Sequence, residues 1–327
     1  MVEFMQRRVR RFRPPAQGPK SRPFPRSPIW AVLLVGTLLV PCGCSGWTTD
    51  SALHHHLDPV GFTRRSALAY GPQPYQLADT YVPDGAGGEP VVIWLHGGGW
   101  VSGNRSQVSP EFISDILGSG EALVSIDWGL TQIGGSVSMY SPDLGDIADA
   151  MRWVEAEAPT MGWDPTRVVL AGFSAGATLA VDAVADDDVT RNPLAADQAL
   201  RGRVIGVIAF SGIYALWDLA SSSPALYASV YSFLGCPIGG TCPFDEASAL
   251  SGMIDGREPP TLLIHGLADL AVPARYSQLL KAELQRAGVP VTDHYVQYVG
   301  HEQVEREYEG AWVTDFLAGL SRAPGSG

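Results

Sequence analysis

Residues 168–180 read VVLAGFSAGATLA. The short apolar run 168–171 leads into a Gly-x-Ser-x-Gly pentapeptide centred on Ser174, and the Ala-rich stretch from Ala175 to about Asp186 favours a helix. Such a strand–turn–helix lifts the serine oxygen above a sheet, because small neighbours tolerate the strained backbone of the turn. The helix N-terminus then faces any negative charge that develops there. The stretch predicts a nucleophilic serine on an α/β scaffold.

A second glycine-rich motif lies upstream. The sequence HGGGW at residues 96–100 directly follows the apolar run 91–95. Glycines allow backbone N–H groups to approach a ligand and to point at an oxyanion. A flexible turn and a phosphate-binding loop are the alternatives, and the lack of a following Gly-Lys-Ser/Thr excludes a P-loop. The motif therefore favours an oxyanion-stabilising loop after a strand.

A serine nucleophile needs a general base, and the base needs a group that orients it. In the chain order serine, acid, histidine, Asp269 comes four residues after His265, and His301 follows a strand predicted to end at Val299. Loops at the carboxyl ends of parallel strands meet at one edge of the sheet. Taken singly, Asp269 is also read as a turn or cap residue, and His301 as a histidine that starts the last helix. In this order, with Ser174, they predict a catalytic triad.

The rest of the body alternates between short apolar runs and amphipathic stretches. This alternation predicts the α/β class, with a mostly parallel central sheet and helices on both faces. Asp143 is expected to cap the start of the helix that follows the predicted strand 122–126. The predicted strands are the edge strand Tyr75–Val82 and the segments 91–95, 122–126, 168–171, 204–210, 262–265 and 291–299.

Residues 71–321 are interpreted as the catalytic domain, preceded by a linker over residues 45–70. One segment, about 214–258, breaks the alternation with a serine triplet, several aromatic residues and two cysteines. Long insertions in compact domains are often functional, so we expect a small cap over the site. An ordinary surface excursion is the alternative.

These motifs together resemble the α/β-hydrolase superfamily, in particular its hormone-sensitive-lipase-like and feruloyl-esterase-like bacterial carboxylesterases. The resemblance covers about residues 70–320 and implies an α/β-hydrolase fold with a small cap insertion. It also implies hydrolysis of a small-molecule ester, with a short to medium acyl or aryl group, and no metal or organic cofactor. The matching stretches are residues 96–100, 165–168, 172–180, 265–269, 272–273 and 300–302.

The resemblance also implies a role for each matching residue. Ser174 is the expected nucleophile, His301 the base, and Asp269 the group that orients the base. The expected oxyanion hole consists of the N–H groups of Gly98, Gly99 and Ala175, with His96 bracing the glycine loop.

The sequence departs from this family at Gly129. Relatives usually have Tyr-Arg-Leu after the third strand, whereas residues 128–130 read WGL here. An arginine at this place would stabilise a nearby group, and the acidic helix start at Asp143 or Asp146 is the candidate. The departure therefore concerns local electrostatics and loop geometry, not the triad.

Two other functions remain open. The same residues cleave amides in relatives that act as arylformamidases or peptidases. A catalytically silent hydrolase fold that serves as a binding protein is the alternative of another class, although such proteins usually lose a triad member. All three predicted members are present here.

Charge is distributed unevenly along the chain. Residues 1–28 hold eight Lys or Arg and one Glu, a net +7, which leaves −19 on the remainder out of the total of −12. An acidic body argues against nucleic-acid binding. The basic head is interpreted as part of a leader.

Residues 1–44 have the order of a secretory signal or lipoprotein-type segment. The basic stretch precedes the apolar run 29–40, and small residues and cysteines follow. We expect an exported protein, either secreted or anchored to the outer face of the cytoplasmic membrane. A lipidated Cys42 or Cys44, or an uncleaved signal anchor, would attach it to the membrane.

Two further cysteines, Cys236 and Cys242, lie in the stretch GCPIGGTCP. In an exported protein, cysteines that close a short glycine-rich loop favour a disulfide. A metal site is the weaker interpretation, since no histidine lies nearby. The run His54-His55-His56 is interpreted as solvated.

Overall fold

The structure, a computed structural model, describes residues 61–85, 87–223 and 226–322. The strands of this part are β1 Phe62–Ala69, β2 Leu77–Pro83, β3 Val91–Leu95, β4 Ala122–Ile126, β5 Val168–Phe173, β6 Val204–Phe210, β7 Thr261–Gly266 and β8 Val291–Val296. They form one sheet in the order β1-β2-β4-β3-β5-β6-β7-β8. Only the pairs β1·β2 and β2·β4 are antiparallel. The predicted mostly parallel sheet is confirmed.

Helices cover both faces of the sheet. In β3, Val91, Ile93 and Leu95 pack into one hydrophobic core, and Val92 and Trp94 pack into the other. The first core contains residues of the helices Tyr140–Met161, Ala175–Ala185 and Arg275–Ala287, and the second contains residues of the helices Pro110–Gly118 and Gly310–Arg322. Because both faces are buried, the strand reads as a continuous apolar run. The helices are α1 Pro110–Gly118, α2 Tyr140–Met161, α3 Ala175–Ala185, α4 Pro193–Ala196, α5 Gln198–Arg201, α6 Leu216–Ser222, α7 Tyr227–Phe233, α8 Arg275–Ala287 and α9 Gly310–Arg322.

The prediction of a linker over residues 45–70 is wrong for residues 62–69. Residues 62–69 form the edge strand β1, so the predicted edge strand Tyr75–Val82 corresponds to the internal strand β2. The residues of β1 are exposed along almost its whole length. Backbone hydrogen bonds to β2 hold this strand, and a hydrophobic pattern does not reveal such bonds.

Two further predictions are corrected at element ends. The last strand ends at Val296, and His301 lies in a 3-10 turn, His301–Gln303, well before α9 begins at Gly310. Tyr298 adopts a left-handed φ of 62°, which turns the chain although the apolar alternation continues. Asp143 does not cap α2, because it lies buried inside the first turn of that helix.

The predicted leader, with its candidate lipidated cysteines Cys42 and Cys44, lies outside the described residues, as does the run His54-His55-His56. In the part of the chain that is described, no helix is both long enough and apolar enough to span a bilayer.

The segment between β6 and β7, residues 211–260, is called here the β6–β7 insertion. It contains α6, α7 and the 3-10 turns Phe244–Ala247 and Ala249–Ser251. Cys236 and Cys242 form a disulfide just after α7, as the spacing predicts.

The topology brings the chemical residues to one edge of the sheet. The carboxyl ends of β3, β5, β7 and β8 lead into the loops that hold the HGGGW motif, Ser174, Asp269 and His301. The first turn of α3 lies against the end of β3. A Cβ atom on Gly176 would sit 2.1 Å from the carbonyl oxygen of Leu95 and 2.6 Å from that of His96. Only glycine allows this approach.

Two helical glycines give a matched test of that contact. Gly176→Ala should destabilise the protein by about 2–3 kcal/mol, since backbone atoms must move apart. Gly145, in α2, has no atom within 4 Å of a built Cβ. Gly145→Ala should stabilise the protein by about 0.5–1 kcal/mol, as expected for a helix interior. Urea unfolding measures both, and equal effects of the two substitutions would contradict the proposed role of Gly176.

Candidate active site

Ser174 lies on a strained turn between β5 and α3. Its φ of 53° and ψ of −117° are unusual for a residue with a side chain, and such backbones cost on the order of 1–3 kcal/mol. Hydrogen bonds hold the turn: Ser174 N–H donates to the Phe210 carbonyl at 2.8 Å, and Thr178 N–H donates to the Ser174 carbonyl at 3.1 Å. The serine oxygen is thereby presented at the end of the sheet.

The structure brings together the three side chains that the sequence predicts as a triad. The Ser174 Oγ–H donates to His301 Nε2 at 2.9 Å, and His301 Nδ1–H donates to Asp269 Oδ2 at 2.6 Å. Because Nδ1 donates to the carboxylate, Nε2 is free to accept the serine proton. This is the geometry of a serine activated by a base that a carboxylate orients.

Asp269 is held as a carboxylate. Its Oδ1 accepts hydrogen bonds from the N–H groups of Ala271 at 3.0 Å and Val272 at 2.8 Å. Burial opposes its ionisation, but hydrogen bonds from His265 and His301 outweigh burial and hold the pKa of Asp269 well below its usual value. The negative charge that stabilises a protonated His301 is therefore present throughout the neutral range.

His265 positions the loop that contains Asp269. Its Nε2–H donates to the Val272 carbonyl at 2.8 Å, and its Nδ1 accepts from the Ser277 hydroxyl at 2.8 Å. Nε2 also lies 3.4 Å from Asp269 Oδ2. Sequence reasoning used His265 only to mark a strand end and missed this role, although its place four residues before Asp269 is a usable signal.

The predicted oxyanion hole consists of three backbone N–H groups that follow β3 and β5. Within the described ranges, the N–H groups of Gly98, Gly99 and Ala175 donate to no backbone carbonyl or side chain. Gly98 has a φ of 116°, and a Cβ there would lie 2.0 Å from the Ser102 carbonyl oxygen. The tight turn therefore requires glycine at this position.

His96 braces the glycine loop, as the resemblance implies. Its Nδ1–H donates to the Gly97 carbonyl at 2.7 Å, and its ring stacks on Trp128 with centroids 4.7 Å apart. Burial lowers the pKa of His96, which favours the neutral ring. The histidine supports the loop and does not face the serine in any described contact.

Two contacts of the site were not predicted. The ring of Phe173 packs on the ring of His301 with centroids 4.8 Å apart. Leu226 of the β6–β7 insertion lies against Gly99 of the glycine loop. Neither residue stands out in the sequence, because both act only through packing.

One buried carboxyl group next to Gly129 has no hydrogen-bond partner among the described residues. A Cβ on Gly129 would lie 2.7 Å from Asp143 Oδ1, so the two residues are in direct contact. Asp146 accepts hydrogen bonds from Gly129 N–H at 2.8 Å and from Gln76 Nε2 at 2.7 Å. Both oxygens of Asp143 lack a hydrogen-bond partner among the described residues. Burial, and then the nearby Asp146, raise the pKa of Asp143 well above its usual value.

No cluster of three or more His, Cys, Asp or Glu residues able to hold a metal ion occurs in the described part of the chain.

Comparison with known proteins agrees with this geometry. The BD-FAE family model matches residues 78–284, which is more than half of the chain. The chain belongs to the BD-FAE family. The predicted resemblance to bacterial carboxylesterases of the α/β-hydrolase superfamily is thereby confirmed, and the matched region includes Ser174 and Asp269.

Relatives of this BD-FAE protein include two from Mycobacterium tuberculosis. Carboxylesterase NlhH is 36% identical over 106 residues, which are 32% of this chain and 32% of NlhH. Esterase LipC is 26% identical over 228 residues, which are 66% of this chain and 54% of LipC. The aligned part is thus about a third to a half of the length of these curated relatives.

Solved structures share the fold. Esterase B from Lactobacillus rhamnosis superimposes with a TM-score of 0.64 at 20% identity, over 84% of this chain and 90% of that one. A carbohydrate esterase from gut microbiota superimposes with a TM-score of 0.64 at 20% identity, over 80% and 97%. The protein has the α/β-hydrolase fold.

The unpartnered carboxyl group of Asp143 gives a pH-dependent prediction. A raised pKa in the folded state means that the contribution of Asp143 to stability is fully present below the unfolded pKa of about 4 and is lost as the pH rises. Asp143→Asn removes this loss, so its stability relative to the wild type should increase between pH 4.5 and 7.5, with a slope of up to about 1.4 kcal/mol per pH unit.

Urea unfolding at a series of pH values measures this slope. The matched control is Asp315→Asn, at an exposed position of α9, which should change the stability by less than about 0.5 kcal/mol at every pH. Parallel pH profiles for the wild type and Asp143→Asn would contradict the interpretation.

Proposed function

We propose that this protein hydrolyses carboxylic esters through an acyl-enzyme formed on Ser174. The observation that supports the proposal is the continuous hydrogen-bonded chain from Ser174 Oγ through the His301 ring to Asp269, at 2.9 and 2.6 Å. The family membership and the names of the relatives point to the same chemistry. The substrates proposed are small esters with short to medium acyl or aryl groups.

In the first half of the reaction, His301 Nε2 takes the hydroxyl proton of Ser174 as Oγ attacks the carbonyl carbon of the ester. The negative charge that forms on the carbonyl oxygen is stabilised by the N–H groups of Gly98, Gly99 and Ala175. One such donor is typically worth about 2.7–4 kcal/mol of transition-state stabilisation.

The same histidine completes the cycle. Protonated His301, stabilised by the Asp269 carboxylate, donates its Nε2 proton to the leaving alcohol oxygen as the bond to the carbonyl carbon breaks. It then removes a proton from a water molecule, which attacks the acyl carbon, and it gives that proton to Ser174 Oγ as the bond between Oγ and the acyl carbon breaks, which releases the acid.

We also propose that the protein is exported, and secreted or attached to the outer face of the cytoplasmic membrane. The order of basic, apolar and small residues over residues 1–44 supports export. The disulfide between Cys236 and Cys242 is consistent with an oxidising compartment. Membrane attachment would depend on Cys42, on Cys44 or on an uncleaved leader.

Substitution of the nucleophile tests the enzymatic proposal. Ser174→Ala should lower kcat for p-nitrophenyl acetate by roughly 10⁴- to 10⁶-fold and should abolish labelling by a fluorophosphonate probe, with unchanged folding. The control is Ser321→Ala, in the last turn of α9, where the hydroxyl accepts a hydrogen bond from Arg167 and donates one to the Leu317 carbonyl; it should keep full activity. Undiminished hydrolysis by Ser174→Ala would refute the assignment. A panel of matched amides would show whether esters are the preferred class.

Cell fractionation tests export. When the full chain is expressed in a bacterial host, the protein should be recovered outside the cytoplasm. A cleaved leader would give a mature N-terminus after residue 40, whereas a retained anchor would place the protein in the membrane fraction. Cys42→Ala and Cys44→Ala separately test lipidation, because loss of the acylated cysteine would move the protein from the membrane to the soluble fraction. A full-length chain that stays in the cytoplasm would contradict the proposal.

A further inference from the structure

The β6–β7 insertion touches the oxyanion loop through one leucine. Leu226, the residue before α7, places its Cδ2 atom 2.9 Å from the position of a Cβ on Gly99. One turn further along, the Ser229 Oγ lies 3.8 Å from the same position. The space beside the Cα of Gly99 is therefore occupied by an aliphatic side chain of the insertion.

Several contacts fix α7 in this place. The ring of Phe233 stacks on the ring of Trp100, the residue after the three glycines, with centroids 4.7 Å apart. The Thr131 hydroxyl donates to the Ser232 carbonyl at 3.1 Å, and Met139 N–H donates to the Phe233 carbonyl at 2.8 Å. A helix with these bonds to the body forms a wall.

A polar recess also borders the glycine loop at Gly97 and Gly98. Its volume is about 530 Å³, and Phe173, Glu302 and Arg306 are among its lining residues. Phe173 packs on the catalytic histidine, and Glu302 follows it in the chain. This recess therefore lies on the side of His301.

The position of His301 decides which half of the substrate lies on which side. His301 Nε2 must donate its proton to the leaving alcohol oxygen, so the alcohol must face the histidine. Ser174 Oγ and the oxyanion occupy two further directions around the tetrahedral carbon. The acyl group takes the remaining direction, away from His301, and Leu226, which packs on the glycine loop at Gly99, is the candidate for the wall of its pocket.

We propose that Leu226 determines the length of the acyl group, and that this protein prefers esters of short acyl groups, from acetyl to butyryl. This inference rests on the proposed ester hydrolysis and specifies its acyl side. Leu226 touches no reacting atom: it limits the space next to Gly99, and the alcohol is bound elsewhere.

The test compares kcat/KM for p-nitrophenyl acetate, butyrate and octanoate in the wild type and two Leu226 variants. The wild type should prefer acetate or butyrate to octanoate. Leu226→Ala should raise the ratio of octanoate to acetate by at least about tenfold, because one methylene group in an apolar pocket is typically worth a factor of 10 or more. Leu226→Phe should lower the ratio of butyrate to acetate.

Leu250→Ala is the matched control. Leu250 is, like Leu226, a partly buried leucine of the insertion packed on the same core, and it does not contact Gly99. Leu250→Ala should leave the octanoate-to-acetate and butyrate-to-acetate ratios within about twofold of the wild type. A second series, acetate esters of p-nitrophenol and of 1-naphthol, should show unchanged ratios in every variant, since the alcohol lies on the other side.

The outcomes separate the two proposals. Full reaction of all variants with the fluorophosphonate probe would show that the proposed ester hydrolysis stands. If Leu226→Ala then leaves the acyl ratios unchanged, or shifts the alcohol ratios instead, the inference about Leu226 is wrong. A wild-type protein that hydrolyses no ester and is not labelled would overturn the proposed function, and the inference with it.

Discussion

The close contact between the first turn of α3 and the end of β3 is the constraint on which the candidate site depends. Because Gly176 has no side chain, the helix lies directly against the carbonyl groups of Leu95 and His96. The turn that holds Ser174 and the loop that begins at His96 are thereby brought to one point at the edge of the sheet. A single substrate carbonyl can then meet the serine oxygen and the free N–H groups of both segments.

Two buried aspartates differ in the hydrogen-bond partners that the fold gives them. Asp269 is surrounded by N–H donors and two histidines, so it remains ionised and orients His301. Asp143 is as deeply buried, but the position beside it is Gly129, and no donor reaches its oxygens among the described residues. The first carboxyl group orients His301, and the second is expected to lower stability at neutral pH.

The β6–β7 insertion packs against the glycine loop of the candidate site. In the proposed reaction, the sheet and the triad provide for attack on a carbonyl group, whereas the insertion limits the space beside Gly99. Its aromatic ring at Phe233 packs on Trp100, and its leucine at 226 lies on Gly99. The insertion therefore forms part of the site itself, and the selectivity proposed here depends on that packing.

The sequence alone determined the α/β class, the positions of the central strands and the order Ser174, Asp269, His301, because these depend on local hydrophobic patterns and on turn residues. Tertiary structure alone decided the place of β1 in the sheet, the contact of Leu226 with Gly99, and the difference between Asp146, which has partners, and Asp143, which has none. These features depend on backbone pairing and on packing between segments that are far apart in the chain. Such pairing and packing leave no periodic pattern in the sequence of the segments involved. The sequence can therefore name the reacting groups, but only the folded chain shows what surrounds them.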